Sequence, residues 1–173
     1  AWWTLRRFGC DARVLDGGLE AWRKAGGEVE TGFIHPRARA FERGIRLIRD
    51  DAMNWADVLH HVNVGDALIV DARSRGRFEG TEPEPRGGLA SGRIPGSISL
   101  PFQHVLDDQG RLLKEDKLAA VLPDAPKDRR VICTCGSGVT AAILHAAFIC
   151  GGFRDVRLYD GSWSEWGARD DLP

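Results

Sequence analysis

The chain has 173 residues, 43% of them hydrophobic, and its 24 basic and 25 acidic side chains leave a formal net charge of −1. That is enough apolar mass for one domain, or for one domain and part of another. No block of like charge is long enough for a nucleic-acid arm or a membrane-surface helix, no apolar run approaches the ~18 residues of a membrane span, and no basic-then-apolar leader opens the chain. The expected setting is therefore cytoplasmic, with neither nucleic acid nor membrane as a partner.

In chain order, "AWWTLRRFG" (1–9) reads as a helix, Arg13 to Leu15 as a strand and Leu19 to Ala25 as a short helix. Residues 28–44 have no clear period and carry Pro and Gly, as a linker does. A helix is expected around Asp51 to His61, with an Asp at its start. "ALIVDAR" (67–73) is a buried-strand run and "GSISLP" (96–101) a short strand. "KEDKLAAVLP" (114–123) is an amphipathic helix stopped by Pro123, and "RRVICTC" (129–135) is another strand. A helix follows in "AAILHAAFIC" (141–150), then the strand "DVRLY" (155–159) and a terminal helical turn. Strands alternating with helices predict an α/β fold, a parallel sheet covered by helices on both faces. Ligands of such sheets sit at the carboxyl ends of the strands, where Cys135 falls.

Two stretches repeat: "RVLDGGLEAW" (13–22) and "RLYDGSWSEW" (157–166) share Asp-Gly and a Trp six residues after the Asp. Each follows a helical segment and a glycine, so the chain reads as two copies of one unit. Few residues precede the first Asp-Gly, and the expected organisation is a C-terminal remnant of a first copy (1–31), a linker (32–50) and a complete catalytic copy (51–173). Trp2, Trp3, Leu5 and Phe8 of the remnant then form an apolar face, expected to self-associate or to bind the rest of the first copy.

Cys135 opens "CGSGVT", a glycine-bearing turn into a helix. Such a turn directs successive backbone N–H groups inward and adds the positive helix end, which favours a bound anion and lowers a cysteine pKa from ~8.5. Gly136 and Gly138 allow the tight curvature. Cys10, Cys133 and Cys150 lie in or beside apolar segments and read as core, so no disulfide is expected in a reducing compartment. The pair Cys133 and Cys135 lacks a second pair at zinc-site spacing; neither a metal nor a cofactor is expected.

"CGSGVTA" (135–141) resembles the active-site loop of the two-domain rhodanese family, in its mercaptopyruvate-using branch. "DAR" (71–73), "GRFEGTEPEPR" (76–86), "GRIPGSISLPF" (92–102) and "YDGSWSEWG" (159–167) agree, in the family's order. The resemblance implies a sulfurtransferase that takes sulfane sulfur from 3-mercaptopyruvate, stores it as a persulfide on Cys135, and passes it to cyanide, a thiol or a thioredoxin-like dithiol protein. It also implies that Arg77 and Arg86 grip the donor carboxylate, as planar guanidinium forks do. The amides of Gly136, Ser137, Gly138, Val139 and Thr140 would cradle the persulfide. Ser137 would join a proton relay whose His and Asp lie before Ala1. Arg93 stands where the family more often has His.

Relatives that prefer thiosulfate have a Cys-Arg-Lys-Gly loop; here the third position is the neutral Ser137, which suits a donor with one carboxylate better than a compact dianion. The alternatives within the fold are thiosulfate sulfurtransferase activity and a non-catalytic binding module. A related phosphatase needs a loop one residue longer ending in Arg, and position 141 is Ala.

Overall fold

A computed structural model describes residues 1–33, 35 and 46–173. Most of the expected 32–50 linker lies outside the described residues. The chain divides into two compact units, one formed by Ala1–Asp50 with Asp108–Arg111, the other by Asp51–Asp107 with Leu112–Pro173.

In the smaller unit, α1 (Trp2–Arg7) ends on two arginines, whose guanidinium groups lie over the rings of Trp2 and Trp3 at 5.7 and 4.8 Å. Trp3 is buried, whereas Leu5 and Phe8 are exposed. The strand expected at Arg13 to Leu15 does not form. Among the described residues this unit offers no strand to pair with, and an unpaired β segment leaves its N–H and C=O groups to water without gain. α2 (Gly18–Lys24) follows, with no buried residue.

In the larger unit the expected helix at 51–61 starts later. Asn54 caps α3 (Trp55–Val64): its side chain accepts from Ala56 N and Asp57 N, while Asp57 accepts from Asn54 N. This reciprocal box outcompetes Asp51 as a start signal. Ala52–Met53 instead form a short edge strand, β1, that the sequence reading missed. The other strands are β2 (Leu68–Asp71), β3 (Ile98–Ser99), β4 (Val131–Thr134) and β5 (Val156–Tyr159), and all pairings are parallel in the order β1-β5-β4-β2-β3. Between them run α4 (Arg75–Glu79), a 3₁₀ turn (Phe102–Val105), α5 (Glu115–Val121), α6 (Ala141–Cys150) and α7 (Ser162–Trp166). α5 ends immediately before Leu122 and Pro123, because the residue before a proline is pushed out of the helical region.

One face of the sheet presents Ile69, Ile132 and Tyr159 to Val58 of α3 and to Trp163 and Trp166 of α7. The alternate row of Val70, Cys133 and Leu158 is equally buried, so β4, the middle strand, is apolar on both faces. That double burial raises the Cys133 thiol pKa, by desolvation first and by the neighbouring Cys135 second, which makes Cys133 a core residue with little thiolate character.

Candidate active site

Cys135 leaves the carboxyl end of β4, at the centre of the sheet, and six residues pass before α6 begins. The loop is held from below by α7. Trp163 N donates to Cys135 O at 2.9 Å and Ser164 N to Gly136 O at 2.9 Å. Ser162 Oγ accepts from Cys135 N (3.1 Å) and Gly138 N (3.0 Å), donates to Tyr159 O (2.8 Å), and lies 4.0 Å from Cys135 Sγ. Its hydroxyl is thereby saturated. Ser162 is fully buried and, among the described residues, the one non-glycine at positive φ, +51°. That conformation is costly for a residue with a Cβ, and its three hydrogen bonds offset the strain.

The expected cradle is therefore partly engaged. Gly138 N is committed to Ser162, while the amides of Gly136, Ser137, Val139 and Thr140 donate to no described residue. Gly138 is required as a glycine: its φ is +77°, and a Cβ there would meet Asp160 O at 2.8 Å. Ser137 and Val139 are exposed, and Ser137 Oγ pairs with no described residue. No described histidine completes a relay with it. His61 bonds Asp66 at 2.6 Å, and His145 lies 3.5 Å from Asp51.

Arg77 and Arg86, nine positions apart, both converge on Gly136. Arg77, in the last turn of α4, places its Nη2 where a Cβ on Gly136 would come within 2.7 Å. Arg86 Nη1 donates to Ser164 Oγ at 2.7 Å, and Ser164 Oγ donates in turn to Gly136 O at 2.5 Å. Arg86 is exposed and carries no ion pair among the described residues.

Behind them stands a buried ion network that the sequence reading did not find. Arg73 bonds both oxygens of Asp71 (2.7–3.1 Å), Glu84 Oε1 (2.7 Å) and Gly92 O (2.8 Å), and stacks 4.5 Å from the Trp163 ring. Glu84 also receives Arg77, through Nε at 3.2 Å and Nη2 at 2.5 Å. Burial pushes the Glu84 carboxyl up, but the hydrogen bonds and charges of Arg77 and Arg73 outweigh it and hold it below the usual carboxylate range. The sequence signals were the charges within "DAR" and "TEPEPR"; nothing in their spacing shows that they meet. Arg93 stacks over Phe78 at 5.0 Å, a packing role. Among the described residues no group of three His, Cys, Asp or Glu stands ready to hold a metal, and no helix is long and apolar enough to cross a membrane.

A cysteine at the end of the central parallel strand, wrapped by a glycine-bearing loop, sits within residues 54–169, which match the model of the rhodanese-like domain. The chain belongs to the rhodanese family. The 3-mercaptopyruvate sulfurtransferase of Mus musculus is 37% identical over 179 residues, covering 97% of this chain and 57% of the mouse protein. The mitochondrial thiosulfate/3-mercaptopyruvate sulfurtransferase 1 of Arabidopsis thaliana is 37% identical, over 99% of this chain and 51% of its own length. The crystal structure of SseA from Escherichia coli, presented as a 3-mercaptopyruvate sulfotransferase, superposes with a TM-score of 0.78 at 33% identity, over 95% of this rhodanese chain and 61% of that one. The chain thus spans between half and two thirds of these three proteins.

Proposed function

We propose that this rhodanese chain is a sulfurtransferase that moves sulfane sulfur from 3-mercaptopyruvate, through a persulfide on Cys135, to a thiol or cyanide. The observation that carries this reading is the convergence of Arg77 and Arg86 on Gly136, the residue after the cysteine. Two guanidinium groups grouped around the residue that follows the thiol suit a donor whose carboxylate lies a few bonds from its sulfur.

In the first half-reaction the Cys135 thiolate attacks the donor sulfur. A sulfur–sulfur bond forms, the carbon–sulfur bond breaks, and its electron pair leaves with the pyruvate enolate, which takes a proton at carbon to give pyruvate. The open amides of Gly136, Ser137, Val139 and Thr140 are the groups available to hold the persulfide. In the second half an acceptor thiolate, such as that of a thioredoxin-like dithiol protein, attacks the outer sulfur and Cys135 leaves as thiolate. A reducing compartment such as the cytoplasm suits this chemistry and the four free cysteines.

The same reading takes residues 1–31 as the end of a first rhodanese-like unit, 32–50 as a linker and 51–173 as the catalytic copy. The third residue of each Asp-Gly unit supports it, since Gly18 and Ser162 share a left-handed φ of +61° and +51°.

The test is pyruvate release from 3-mercaptopyruvate together with mass mapping of the cyanide-labile sulfur. Sulfur on Cys135, lost in Cys135→Ser, is the expected result. No pyruvate and no labile sulfur, or sulfur on Cys133 or Cys150 instead, overturns the proposal. Thiosulfate, the second donor in the Arabidopsis relative's name, is assayed alongside.

A further inference from the structure

We propose that Glu84 is a positioning residue that sets donor selectivity, by fixing the aim of Arg77 and by trimming the positive charge of the donor pocket to one. This inference rests on the sulfurtransferase reading of the same site and assigns the selectivity to a residue that touches neither the thiol nor the loop.

The first part is geometric. The Glu84 side chain is 4% exposed and stands on a rigid base, because the Arg73 side chain beneath it is fully buried and fixed by Asp71, Gly92 O and the Trp163 ring. From that base Glu84 takes the Nε and Nη2 edge of Arg77. A guanidinium has five N–H groups in a planar fork, so engaging one edge leaves the end-on pair, Nη1 with the second Nη2 proton, for a ligand. Arg77 Nη1 donates to no described residue, and the end of the guanidinium lies over Gly136. The side-on grip open to a free arginine is thus denied to the donor, and a single end-on orientation beside the cysteine loop remains.

The second part is the charge. Asp71, Arg73, Glu84 and Arg77 sum to zero, and Arg86 adds one positive charge. One net cation matches one carboxylate and undercompensates a dianion. Replacing Glu84 by its neutral isostere raises the local charge to two. The electrostatic gain on binding scales with ligand charge, so thiosulfate gains about twice what a monocarboxylate gains. The lost charge-assisted bonds also free Arg77 to rotate away from the end-on orientation, which penalises the carboxylate donor alone.

The experiment compares wild type, Glu84→Gln and Glu84→Asp for kcat/KM with 3-mercaptopyruvate and with thiosulfate, and measures the affinities of pyruvate and thiosulfate in the same three sequences carrying Cys135→Ser. Glu84→Gln is expected to shift the ratio of the two efficiencies toward thiosulfate by about tenfold or more. Glu84→Asp keeps the charge but loses the reach, so mercaptopyruvate efficiency falls with no gain for thiosulfate; this variant carries the test if Glu84→Gln fails to fold. An unchanged ratio, or an equal fall for both donors, makes Glu84 merely structural and overturns the proposal. If wild type transfers sulfur from neither donor, the functional reading fails, and the binding arm decides separately. Weaker pyruvate and tighter thiosulfate in Glu84→Gln then still support the role of Glu84, and parallel changes refute it.

Discussion

The two Asp-Gly units of this chain share a short motif and have opposite fates. In both, a left-handed third residue leads into a short helix with a Trp six residues after the Asp. α2 buries nothing, leaving Leu19 and Trp22 exposed at 53% and 45%, whereas α7 buries Trp163 and Trp166 to 4% and 2%. The likeness extends upstream, since Asp11 pairs with Arg13 as Asp155 pairs with Arg157. The segment around Arg157 is β5 in a five-stranded sheet, while the segment around Arg13 forms no strand. A local motif thus encodes its turn and helix, and the sheet beside it decides what is buried. The two third residues differ in one further respect: Ser162 holds the cysteine loop with a hydroxyl that Gly18 lacks.

The largest contrast concerns stability. Trp166→Ala is expected to cost about 3–5 kcal/mol, the range for a large buried aromatic, whereas Trp22→Ala is expected to cost under about 1 kcal/mol. Denaturant titration of both variants checks this, and equal losses would abolish the distinction between the two Asp-Gly units. Next comes the loop. Ser162→Gly keeps the left-handed backbone without a Cβ but leaves Cys135 N and Gly138 N without their acceptor, and roughly a hundredfold loss of persulfide formation on Cys135 is expected from two unpaired amides. Gly18→Ser, the reciprocal change, is expected to leave that rate alone.

A smaller effect attends the arginines. Arg77→Ala and Arg86→Ala are each expected to raise KM for mercaptopyruvate about tenfold, one charge-assisted bond apiece, while Arg23→Ala on α2 leaves KM unchanged. Steady-state kinetics of the three variants separates a site effect from a general change of surface charge.

The smallest effect is in the paired aspartates. Burial pushes the Asp155 carboxyl up, but bonds from Arg157 and Arg130 prevail and hold it below the usual carboxylate range. A depressed carboxylate contributes stability above its unfolded pKa and loses it as pH falls through the folded value. Asp155→Asn should therefore cost roughly 0.5–1 kcal/mol at pH 7, with the deficit shrinking below about pH 4, whereas Asp11→Asn, on an exposed pair, should be silent at every pH. A deficit that grows on acidification would reverse the assignment.

Some of this was open to reading. The strand runs at Leu68–Asp71, Val131–Thr134 and Val156–Tyr159 lie within the expected segments because strands of a covered parallel sheet are built mostly from apolar, β-branched residues, with Asp71 and Arg157 as the charged exceptions. The stop at Pro123 and the turn of Gly138 are local steric facts. β1 escaped because two residues carry no period, and the helix start moved from Asp51 to Asn54 because only the capping box at Asn54 and Asp57 distinguishes them. Ser162 escaped because a left-handed serine looks, in sequence, like any residue after a glycine.

By itself the sequence determined the alternation of strands and helices, the placing of Cys135 at a strand end, and the glycine loop that follows, since each depends on neighbours within a few residues. The tertiary structure decided that Arg77 reaches Gly136 directly and Arg86 through Ser164, that Glu84 and Arg73 stand behind them, and that Ser162 reaches back to the cysteine loop. Those contacts join residues up to 78 positions apart. Their partners are fixed by the parallel register of β2, β4 and β5, which no local pattern of residues encodes.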